Sequence, residues 1–89
     1  MSRDIPWADL HLKVQENLIH FLDVELDLVE TLCDRAKTHP ERRTEILGKI
    51  KQAIDTVRHF AGRIDDHCTR EIILDRADDL EYRAQKIAQ

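Results

Sequence analysis

Two stretches of this chain carry carboxylates and a histidine at one shared spacing: Glu16, His20 and Asp27, then Asp55, His59 and Asp66, at steps of four and seven. On helices those steps set a carboxylate, an imidazole and a second carboxylate on one face. Two such faces brought together offer the donors that zinc, iron or manganese accept. Each histidine is followed by phenylalanine, Phe21 and Phe60. Against a metal centre, both sets lie opposite the apolar stripes of their own segments, and the Glu-x-x-His pattern of di-iron bundles is absent. Acids four residues from a histidine are also common on solvated helices.

His59 suggests a second chemistry, phosphoryl acceptance, because Gly62 and Arg63 follow it and a small residue beside a cation suits a phosphate. The familiar phosphotransfer arrangement has lysine and then glycine three and four residues after the histidine; here glycine precedes arginine. His67 and Cys68 are adjacent, but neighbours on a helix point about 100° apart and form no thiol–imidazole couple. Glu25 falls inside an apolar stripe, beside Leu18, Val29 and Leu32, where an unpaired charge is expensive. It is expected to pair with Arg58, Lys51 or a partner chain. His11 sits at the edge of the same stripe, where a satisfied hydrogen bond is expected. With no nucleophile–base–oxyanion set, Gly-rich phosphate loop or zinc-finger spacing, the expectation is a non-enzymatic chain without a cofactor.

The elements that position these residues are helices. Lys37-Thr38-His39-Pro40-Glu41 divides the chain: Thr38 and Glu41 have capping-box spacing, and Pro40 has a pre-set φ and no amide to satisfy. Upstream, Asp4 is a candidate cap for a helix over residues 6–37, about 48 Å long. Trp7, Leu10, Val14, Leu18, Phe21, Leu22, Leu28, Val29, Leu32 and Ala36 make one broad stripe on it, widened by Ile19, Leu26 and Cys33. So wide a face suits contact with two neighbouring helices, both from this chain or one from a second copy.

Past the turn, Leu47, Ile50, Ile54, Val57, Ala61, Ile64, Cys68 and Ile72 recur at steps of three and four. From Ile73 the apolar set becomes Ile73, Ala77, Leu80, Ala84 and Ile87, about 160° away on a continuous helix. A straight helix cannot aim both stripes at one partner. Either it breaks near residues 62–66, with Gly62 closing one helix in the left-handed conformation and Asp65 or Asp66 capping the next, or its tail meets another chain. The first option gives an all-α, antiparallel three-helix bundle over about 6–37, 41–62 and 66–88, which is the expected fold. The alternative is a two-helix long hairpin, 6–37 and 41–88, that oligomerises.

Eighty-nine residues bound a single domain with a modest core; 42% of them are apolar, 36% are charged, and there are only two Gly and two Pro. No apolar run nears the roughly 20 residues that span a bilayer, and Met1-Ser2-Arg3-Asp4 lacks the apolar core of a signal peptide. A cytoplasmic protein is expected, with Cys33 and Cys68 as reduced thiols. The net charge of −4 hides a split: residues 1–34 carry eight acids against two bases, and residues 35–51 carry six bases against two acids. Four scattered aromatics and one base-rich turn do not make a nucleic-acid surface. What remains is a helical protein-protein interaction module that self-associates or offers a helix face to a protein partner. The residues expected to reach that partner are Leu12, Ile19 and Leu26 on the first helix and Leu74, Leu80, Tyr82 and Ile87 near the C-terminus. On this reading, charge substitutions at Leu26 and Leu80 weaken association.

Overall fold

The structure, a computed structural model, describes residues 7–89. Three helices, α1 (Trp7–Thr38), α2 (Arg43–Ala61) and α3 (His67–Ala88), pack against one another as an all-α bundle, with one 3-10 turn, Pro40–Arg42, between the first two. The candidate cap Asp4 lies outside the described residues.

The α1–α2 turn is built from backbone and arginine rather than from a capping box. Thr38 stays in α1 and its hydroxyl donates back to the Asp34 carbonyl (3.2 Å), while no side chain caps the 3-10 turn. Pro40 opens that turn at its first position, where a missing amide costs nothing. Arg43 Nε donates to the Ala36 carbonyl (3.2 Å), placing a cation on the negative end of α1.

The α2–α3 link decides between bundle and hairpin, and the chain breaks. α2 ends in a tight turn in which Arg63 N donates to Phe60 O (2.9 Å) and Ile64 N to Ala61 O (3.0 Å). Gly62 is right-handed (φ −61°), not left-handed as its type suggests, so the turn makes no demand for glycine. Asp66 then caps α3, its carboxylate accepting from Thr69 N (2.8 Å) and Thr69 Oγ1 (2.6 Å). Ile64 is buried at the end of the core, but Cys68 and Ile72, in phase with it on an unbroken helix, are exposed. The new helix instead buries Ile73, Ala77 and Leu80.

One core cluster unites Leu22, Leu26, Val29, Cys33 and Ala36 of α1 with Ile46, Ile50, Ile54, Val57 and Ala61 of α2 and the α3 set. Leu26 and Leu80 belong to this core, at 0% and 2% exposure, so they are not partner-facing. The expectation that they reach a partner fails because α2 and α3 cover the side of α1 that carries Leu26, and α3 turns Leu80 into the same core. The bundle is a rod with a longest extent of 61 Å. No helix among the described residues is long and apolar enough to cross a membrane.

Leu26→Ala is expected to cost about 2–5 kcal/mol of unfolding free energy, measured by chemical denaturation, as loss of transfer energy plus a cavity. Gly48, exposed in mid-α2 with open space within 4 Å of where a Cβ would stand, gives the opposite sign. Gly48→Ala is expected to stabilise the chain by about 0.5–1 kcal/mol in the same assay.

Candidate functional site

The paired His-carboxylate segments do come side by side, but through their phenylalanines. Phe21 and Phe60 meet edge to face with ring centroids 6.2 Å apart, and Phe60 also packs on the His59 ring (4.9 Å) and beneath the Arg63 guanidinium (5.0 Å). The carboxylates at the far ends of the two sets are used otherwise: Asp27 binds Arg76 and Asp66 caps α3. Among the described residues no three His, Cys, Asp or Glu side chains gather into a group able to hold a metal ion. Arg63, the cation proposed to assist a phosphoryl group at His59, lies over the Phe60 ring.

Polar contacts that sequence reasoning missed hold the bundle's register. The Gln15 amide grips the α2–α3 link like a strand of backbone, donating from Nε2 to Arg63 O (2.9 Å) and accepting at Oε1 from Asp65 N (2.8 Å). His11, one turn earlier, contacts the Asp65 carboxylate and is exposed rather than part of a core edge. Arg76 of α3 reaches three carboxylates of α1: Asp23 (2.9 Å), Asp27 (2.6 Å) and Glu30 (2.9 Å). Arg58 of α2 binds Glu81 with both terminal nitrogens (2.8 and 3.0 Å) and Asp78 with one of them (2.6 Å). Arg58 therefore faces α3, and the expected Glu25–Arg58 pair does not form. Glu25 is half-buried, and it has no ion-pair partner among the described residues. The two thiols are separate: Cys33 is buried, which pushes its thiol above the ordinary range, and Cys68 is exposed.

The surface left over is apolar and ordered. Trp7, Leu10, Val14, Asn17, Phe21, Val24, Leu28 and Thr31 follow one another along α1 at alternating steps of three and four, and all are exposed. The six apolar members run from 40% exposed at Leu10 to 81% at Trp7. This is a heptad seam, with apolar side chains at every a and d position except Asn17 and the terminal Thr31. The core residues Leu22, Leu26, Val29, Cys33 and Ala36 form a second seam, about 120° round the helix from the first, with buried Leu32 between the two. α1 thus has two apolar faces; α2 and α3 bury one, and α2 touches the other where Phe60 meets Phe21. The signal was present in the spacing from Trp7 to Leu28, but on a wheel drawn at 100° per residue the two seams blur into one broad stripe.

Among the residues expected to meet a partner, Leu12 and Tyr82 are more than half exposed, Tyr82 lying under the Lys86 ammonium (5.2 Å). Ile19, Leu74 and Ile87 are partly buried against the core. The structure does not gather these residues into one patch with Leu26 and Leu80, which are inside. No family model, no curated protein and no solved structure matches this chain.

Hydrogen bonds to Arg58 hold the Glu81 carboxyl below its ordinary 4.5, and the Thr69 hydroxyl and amide hold Asp66 below 3.8. Folding favours both ionised forms, so their contribution is complete above those ordinary values and is lost as pH falls through the lower folded ones. Thermal melts from neutral pH into acid should show the melting temperature dropping below about pH 4.5, the Glu reference region. Glu81→Gln with Asp66→Asn should lower the neutral-pH melting temperature and flatten that acid limb; an unchanged limb contradicts the assignment.

Proposed function

We propose that this chain is a non-enzymatic, cytoplasmic protein-protein interaction module that binds another helix along the exposed heptad seam of α1. The carrying observation is that seam: six large apolar side chains at coiled-coil spacing on a face of α1 that stays exposed beside its own bundle, touched by α2 where Phe21 meets Phe60. Scattered exposed apolar residues are ordinary on folded chains, but these share one face over about 32 Å between Trp7 and Leu28. The length of α1 supports the reading. α1 has 32 residues against 19 in α2 and 22 in α3, and the α2–α3 link is tied to His11 and Gln15, so the first turn of α1 projects beyond the bundle. Helix-in-groove or coiled-coil recognition uses anchors at this spacing. A reducing compartment agrees with two unpaired thiols, one of them exposed.

A photo-activatable side chain placed at Val24 in living cells tests the reading, with the same group at Asp75 of α3 as the control. The expected outcome is a discrete covalent adduct from Val24 and none from Asp75, with a mass that reports whether the neighbour is a second copy or a different protein. Absence of any adduct at Val24, or equal labelling at both positions, overturns it.

A further inference from the structure

We infer that the seam of α1 is filled by α1 of a second copy of this chain, the two helices lying antiparallel about a two-fold axis near residue 19. The inference deepens the reading above and rests on it.

The register follows from the spacing. In an antiparallel pair each a position faces a d position, and only one register engages every seam residue from Trp7 to Thr31. It sets Leu10 against Leu28 of the second copy, Val14 against Val24, Asn17 against Phe21, and Trp7 against Thr31. Aliphatic residues of like size meet in two of these layers, and in the other two an aromatic ring meets a small or polar residue, so bulk is shared evenly along the contact. The symmetry repeats each layer, giving eight layers over three and a half heptads, within the span over which a/d repeats specify coiled coils.

Charge selects the same register. Lys13, exposed and without an ion-pair partner among the described residues, stands one position before Val14 on the flank of the seam nearer α3. On that flank the antiparallel register sets it across from Asp27 of the second copy. Asp27 shares one guanidinium, Arg76, with Asp23 and Glu30, so this patch carries three carboxylates on one cation and has room for another. On the opposite flank, Glu25, which finds no ion-pair partner in its own chain among the described residues, is set across from His11, whose Nε2 meets Asp65 of its own chain. A parallel pair instead stacks Arg35, the next seam position, on Arg35. It also brings together the two basic ends that carry Lys37, Arg42, Arg43 and Lys49. Like charges at close quarters disfavour that orientation.

Sedimentation equilibrium of the purified full chain at micromolar concentration tests the occupant, and disulfide trapping tests the orientation. The expected mass is twice 10.5 kDa. Val24→Glu with Leu28→Glu should sediment at 10.5 kDa with unchanged helicity, a loss of at least a hundredfold in dimer affinity. With exposed Cys68 replaced by serine, Leu10→Cys mixed with Leu28→Cys should form the mixed disulfide, and Leu10→Cys alone should not cross-link. A wild-type monomer, a dimer that survives the double charge substitution, or self-linking of Leu10→Cys each overturns the inference. A monomer whose Val24 probe still captures a different protein in cells overturns this inference while leaving the interaction reading standing.

Discussion

The fold turns on the accounting of backbone hydrogen bonds at the α2–α3 link. If residues 43–88 ran as one helix, Ile64 and Ile73 would head two apolar stripes on opposite sides, and one stripe would face water. Breaking the helix cures this only if the freed amides and carbonyls find partners. They do: the Gln15 amide serves Arg63 O and Asp65 N, the Asp66 carboxylate serves Thr69 N, and the Arg70 guanidinium serves Ile64 O (3.1 Å). With those contacts in place the chain reverses in five residues, and Ile73, Ala77 and Leu80 turn into the core.

Once α3 folds back, its register is set by two arginines more than by the apolar contacts, which tolerate sliding. Arg58 ties α2 to α3 near its middle, and Arg76 ties α3 to α1. Each side chain is about one-third exposed, so these pairs contribute modestly to stability. Their value is geometric, since a bidentate guanidinium accepts one alignment and a leucine accepts several. Arg76 also draws Asp27 from the His20 set, as the cap of α3 draws Asp66 from the His59 set.

The same closure leaves α1 with more apolar surface than the bundle can cover. A helix has only so much circumference, and α2 and α3 together occupy the side that carries Leu22, Leu26 and Val29. The seam from Trp7 to Leu28 stays exposed beside them, touching α2 where Phe21 meets Phe60. A short chain with a modest core gains more from burying such a face than from leaving it wet, at about 25 cal/mol per Å² of apolar area removed from water. In the proposed pairing of α1 with a second copy, one symmetric contact covers the seam twice.

Helical periodicity alone determined the all-α class, the turn at Pro40 and most of the core on α2, since apolar spacing and breakers act locally, and it left the three-helix bundle and the two-helix hairpin both open. The need for a break was legible as a change of face at Ile73, though Ile64, Cys68 and Ile72 kept phase through residues 62–66 and Gly62 pointed to the wrong backbone conformation. The heptad from Trp7 to Leu28 was written in the chain but hidden by an overlapping inner seam. Tertiary structure alone decided that Leu26 and Leu80 are core, that Arg58 serves Glu81 rather than Glu25, and that Gln15 holds the link. Each of these depends on which helix lies next to which, a long-range choice made by joint burial and hydrogen-bond closure rather than by any residue's own neighbours in sequence.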